Sequence, residues 1–135
     1  MRTTVYIAAP YGDPSPEGRA RNAARARWLA TVAHRMGLAP MYVHDAIELG
    51  VFGDDTDPDA RAAGLASATA LAASCQVIWS AVDGAMTDGV RREVDAWIIA
   101  HPGMAPAKVM DWHQWRNYAA RWAKLARMEV PPWPG

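Results

Sequence analysis

One heptapeptide of this chain carries catalytic residue types at workable spacing: Thr87-Asp88-Gly89-Val90-Arg91-Arg92-Glu93. It follows the most strand-like segment, residues 76–82, and reads as the start of a helix. A hydroxyl and an acid there lie where backbone N–H groups and the helix dipole favour anions. Gly89 removes a side chain where a ligand needs close backbone approach. Glu93 follows within the next turns, and the helix start together with Arg91 and Arg92 predicts an ionised carboxylate. Such a group at a strand end suits nucleophilic attack on the anomeric carbon of a sugar. Taken alone, the segment favours a plainer reading, a capped helix with a surface glutamate.

A second candidate is Tyr6-Ile7-Ala8-Ala9-Pro10-Tyr11-Gly12, a strand that ends in small residues. Ala9, Pro10, Tyr11 and Gly12 could cradle phosphate or ribose oxygens, or form a β–α turn whose tyrosines pack on the sheet. The segment is neither a GxGxxG nor a Walker loop. Of the basic run Arg19, Arg21, Arg25 and Arg27, spread around one helix, Arg19 alone sits in the first turn, in reach of an anionic substrate. His44, ending the second strand, is the one histidine placed to touch a ligand, although such a histidine is more often structural. No histidine spacing suggests a metal site. Cys75 reads as a small core residue. Trp112, Trp115 and Trp122 read as core together with a self-association contact.

These residues need a scaffold, and the pattern supplies one. Residues 5–9, 38–43, 76–82 and 108–110 read as strands. Helices follow over 17–36, opened by Ser15-Pro16-Glu17 and closed by Gly37, and over 58–74, opened by Asp57-Pro58. Two more cover 88–100 and the stretch from the Asp111/Gln114 capping box to 128. Residues 48–57 read as a loop, and the Pro/Trp-rich tail 129–135, beyond a single domain of 1–128, as an extended or frayed end. Strand and helix alternate four times. The expected fold is α/β and doubly wound: a mainly parallel sheet of four to five strands with helices on both faces. Ligands in such sheets bind at the carboxyl ends of the strands, which points to loops 10–15, 44–57 and 83–88.

Composition narrows the function. Half of the 135 residues are hydrophobic (51%), which argues against disorder, and 14 basic residues cancel 14 acidic ones. No net field then draws nucleic-acid polymers or an acidic membrane. One cysteine excludes an internal disulfide framework. No apolar run is long enough to span a bilayer, and residues 1–4 lead straight into a strand without a signal-peptide core. The expected location is cytoplasmic.

Several short motifs converge. Tyr6 to Tyr11 match an opening strand of the type YIAxPY. Asn22, Ala26, Leu29, Gly37, Pro40 and His44 fit the helix and strand that follow, and Cys75-Gln76 fits in part a Cys-Asp start to the third strand. Thr87, Gly89 and Glu93 fit S/T/D-x-G-x-x-x-E with correct spacing. On these, over residues 3–110, the chain resembles the nucleoside 2-deoxyribosyltransferase superfamily, particularly its small bacterial and phage members.

The resemblance implies a flavodoxin-like fold and cleavage of the N-glycosidic bond of a nucleoside or nucleoside 5′-monophosphate. Glu93 matches the nucleophile, Tyr6 the tyrosine that orients it, and Thr87 the hydroxyl that contacts sugar or phosphate, with the Gly89 backbone beside it. Gly12 and Arg19 lie where hydrolase relatives contact a 5′-phosphate. The Asp that transferases carry ahead of the third strand falls here at Ala68, between Ser67 and Thr69, and Gln76 replaces the acid at the strand start. Hydrolysis is therefore expected over transfer, with Asp83 or Asp88 left to supply a proton. No metal or organic cofactor is implied, and a homodimer or higher homo-oligomer is. The competing expectations are a catalytically silent nucleotide-binding module and an interaction protein built on the Trp-rich helix.

Overall fold

In chain order the elements are β1 (Thr4–Ala8), α1 (Pro16–Arg35), β2 (Ala39–Met41), α2 (His44–Glu48), α3 (Pro58–Ser74), β3 (Val77–Val82), α4 (Asp88–Ala100), β4 (Lys108–Asp111) and α5 (Trp112–Ala126). The computed structural model describes residues 1–54, 56–104 and 106–135. Side chains set the long helix starts. Ser15, Asp57 and Thr87 each accept a hydrogen bond from a first-turn amide, and Asp111 exchanges bonds reciprocally with Gln114. Gly37, at φ 90°, supplies the left-handed turn that ends α1.

The four strands form one parallel sheet in the order β2-β1-β3-β4. Strand order reverses between β1 and β3, the arrangement of a doubly wound, flavodoxin-like sheet. β1 lies inside it, and Val5 to Ala8 are fully buried. Alternation along β1 then divides the core. Val5 and Ile7 join α1 and α5 on one face, while Tyr6 and Ala8 join α3 and α4 on the other. Among the described residues no helix is long and apolar enough to cross a membrane.

Two regions depart from the sequence expectation. The second strand shrinks to Ala39–Met41, and the chain turns into the short helix α2 where a loop was expected after the strand end. No side-chain cap announces α2. It is held from outside, by Arg27–Asp45 at 2.7 Å and by the Tyr42 hydroxyl donating to Asp45 at 2.7 Å. Asp55, in the expected loop 48–57, lies outside the described residues.

The tail is extended, as its prolines require, but it is not frayed. Trp28 Nε1 donates to the Pro131 carbonyl at 2.8 Å, and the Trp133 ring meets Trp28 and Trp112 at 5.1 and 5.5 Å between centroids. Arg25 and Arg116 stand 5.3 and 5.0 Å from the centre of the same ring. Trp112 and Trp115 are core residues, the latter donating to the Ser80 carbonyl at 3.0 Å, and Trp122 is half-buried. Trp133→Ala should lower stability by about 2 kcal/mol, read as an earlier urea midpoint at unchanged slope. A tail that merely rests on the surface would leave the midpoint unmoved.

Candidate functional site

Rotation of α4 places the central acid. Val90, Glu93, Val94 and Trp97 fall at i, i+3, i+4 and i+7, a single stripe that faces the sheet. The stripe is pinned at both ends. Thr87 Oγ1 accepts from the Val90 amide at 3.3 Å, and Trp97 Nε1 donates to the Cys75 carbonyl at 3.1 Å. Glu93 is therefore 6% exposed, while Arg91 and Arg92 point to solvent. Burial pushes its carboxyl up to about 7, and the Tyr6 hydroxyl pulls weakly the other way. The expected help from Arg91 and Arg92 is absent, because they lie on the opposite side of the helix.

Tyr6, fully buried on β1, faces this carboxyl. Burial and the adjacent carboxyl push its phenol upward, so it stays a neutral donor. The two groups interact without meeting hydrogen-bond geometry: Tyr6 Oη and Glu93 Oε2 are buried and lack a partner among the described residues. Ser80 Oγ and His44 Nδ1 share that condition. Ser80 sits opposite Ala8 in the ladder, on the same sheet face as Tyr6.

Glu93 lines a cavity of about 530 Å³ at the carboxyl ends of β1 and β3, where strand order reverses. Ala9, Tyr11 and Gly12 enter it from the loop after β1, His44 from α2, and Thr87, Asp88 and Gly89 from the start of α4. Eight of the residues expected from sequence thus meet around one space. His44 has a structural task as well. Its Nε2–H donates to the Ala9 carbonyl at 2.8 Å, and burial holds the ring neutral, leaving a lone pair on Nδ1.

Four expected residues stand elsewhere. Tyr6 lies behind Glu93 rather than in the lining, and Pro10 lies outside it. Arg19 belongs to an adjoining depression of about 750 Å³, with its guanidinium donating to the Asp13 carbonyl at 2.8 Å. Asp83 lies outside the lining and faces Arg25 of α1, at 3.7 Å.

Sequence reasoning missed Asp13 and the α3 wall. Arg61, Gly64, Leu65 and Ala68 line the cavity at i, i+3, i+4 and i+7, a periodic stripe that was available to be read. Asp13 accepts from the Ser15 amide and hydroxyl, each at 2.9 Å, which holds its carboxyl below the usual range. An added Cβ at Gly18 would collide with it. Among the described residues no His, Cys, Asp or Glu group is placed to hold a metal.

Residues 3–100 match the family described as Domain of unknown function (DUF7768). The chain belongs to that family. No curated protein matches it. The DUF7768 segment runs from β1 to the end of α4, so every lining residue of the cavity lies within it, whereas α5 and the tail lie beyond.

Burial of Glu93 has a thermodynamic signature. Between 4.5, its ordinary value, and about 7, the folded chain keeps a proton that the unfolded chain has released. Stability therefore falls as pH rises through that window and is level above it, a loss of about 3 kcal/mol. Glu93→Gln should exceed wild type by up to about 3 kcal/mol near pH 8, and the difference should close near pH 4. Urea unfolding at both pH values checks this. Equal differences at the two would mean that Glu93 titrates as it does in water.

Proposed function

We propose that this DUF7768 domain hydrolyses the N-glycosidic bond of a nucleoside or nucleoside 5′-monophosphate, with Glu93 as nucleophile. The observation that carries the reading is one carboxyl, buried and incompletely satisfied, at the wall of a nucleoside-sized cavity on the strand ends of a parallel sheet. A pKa near 7 leaves a substantial carboxylate fraction at neutral pH. In so enclosed a place a negative oxygen stabilises the positive charge that grows on the sugar ring as the base departs. Tyr6 stands behind it as a neutral phenol suited to hold the carboxylate in line. The reaction closes when water attacks the glycosyl ester and restores the carboxylate. Arg61 is the one cation among the described lining residues and suits a 5′-phosphate. The cytoplasm, where nucleotides are plentiful and the buried Cys75 thiol stays reduced, is the setting this reading requires.

Chromatography of a panel of ribo- and deoxyribonucleosides and their 5′-monophosphates should show free base with wild type and none with Glu93→Gln. The acid limb of kcat/KM should lie near the Glu93 value of about 7, with activity rising as the carboxyl deprotonates. Nucleotide binding without any free base would instead make this a sensing or sequestering module.

Gly89 separates fold from function. An added Cβ there meets Leu65 Cδ2 at an ordinary 3.6 Å, and its φ is not left-handed. Gly89→Ala should keep the unfolding midpoint or raise it slightly, since alanine favours helix by about 1 kcal/mol over glycine. It should weaken substrate binding several-fold, because the methyl enters the cavity; unchanged KM would remove Gly89 from the binding surface.

A further inference from the structure

Cleaving an N-glycosidic bond raises a second requirement: the departing nitrogen takes an electron pair, and a neutral base then needs a proton. Six described lining residues carry an ionisable proton or charge: Tyr11, Asp13, His44, Arg61, Asp88 and Glu93. Tyr11 donates its hydroxyl proton to Glu48 at 2.6 Å. His44 has committed its Nε2–H to Ala9 and offers a lone pair at Nδ1. Asp13 is held as a carboxylate by Ser15. Arg61 does not give up a proton. Asp88 is an exposed carboxyl in the first turn of α4, open to water rather than enclosed with the leaving group. Glu93 is consumed as nucleophile. Thr87 brings a hydroxyl that does not ionise in this range, its oxygen already accepting from the Val90 amide, and Val43, Ile47, Leu65, Ala68 and Val90 make the aliphatic part of the wall.

The lining therefore sets three carboxyl groups against one cation, Arg61, and, among the described residues, provides no uncommitted acidic proton for a leaving group. We propose that the substrate of this cavity is a nucleoside whose ring already carries a fixed positive charge on its base, a pyridinium or an N-alkylated purinium. This rests on Glu93 acting as the nucleophile. A Glu93 oxygen forms the bond to C1′ as the C1′–N bond breaks. The electron pair of that bond passes to the ring nitrogen and neutralises the ring, so the base leaves without a proton. Water then attacks the ester, giving free sugar, the regenerated carboxylate and one proton released to solvent. The excess of acids favours the cationic ring on entry, and the aliphatic wall accepts it once it is neutral.

The test uses matched pairs with the full chain: nicotinamide riboside against its neutral dihydro form, and 7-methylguanosine against guanosine. The two pairs separate pyridinium from purinium specificity. The cationic member of at least one pair should be cleaved about a thousandfold faster in kcat/KM, the size of the help a general acid would otherwise give. In Glu93→Gln, calorimetry should show nicotinamide riboside binding about tenfold tighter than the dihydro form, a preference that Asp88→Asn reduces. Guanosine cleaved within about tenfold of 7-methylguanosine, with the pyridinium pair likewise level, would overturn this substrate class and leave the glycosidase reading standing. Cleavage of neither member of either pair, with no free base from the nucleotide panel, would overturn both.

Discussion

A carboxyl group held in an apolar layer is the constraint around which the rest of the molecule is arranged. Left to itself, α4 would gain by turning Glu93 into water, because charge in a low-dielectric layer is costly. It does not turn, because the same stripe carries Val90, Val94 and Trp97, whose burial outweighs the exposure of one acid. Trp97 adds direction to that hold: its indole reaches the Cys75 carbonyl, and His101 stacks on its ring at 4.7 Å. Rotation of the helix is thus fixed at its far end, and the Thr87 cap fixes its start.

The cavity follows from what α3 lacks. Its cavity face offers Gly64 and Ala68 where larger side chains would fill the gap, and Ala72, next along that face, completes the core against Tyr6 and Ile78. One helix therefore serves packing at its C-terminal half and emptiness at its N-terminal half. β1 closes the arrangement from below, and the His44–Ala9 bond ties its end to α2.

Much of this was legible in the sequence, for local reasons. Ser15, Asp57, Thr87 and the Asp111/Gln114 box announce helix starts within one turn, and alternating strands and helices dictate a parallel sheet. The convergence of Ala9, Gly12, His44 and Gly89 follows from that topology. What the sequence did not show was, at Asp83 and the tail, decided by neighbours distant in sequence. Asp83, one of two acids expected to supply a proton, is close along the chain, yet Arg25 of α1 faces it and only the other, Asp88, enters the lining. The tail was expected to be extended or frayed because prolines cannot form helix; it is extended, and what the sequence did not show is that tryptophans receive it. Glu93 is the instructive case. Its spacing from Val90, Val94 and Trp97 already implied burial, but adjacency to two arginines was weighted instead.

Arg25 has a consequence of its own. A single guanidinium group meets Asp83 in the loop ahead of α4, the Trp133 ring and the carbonyl of Gly135. The last residues and the segment that delivers the cavity's rim are therefore moored to the same post, on the side of the sheet away from the cavity. Because Asp83 is 73% exposed, dissolved salt slackens that mooring at one end while the aromatic end stays fast.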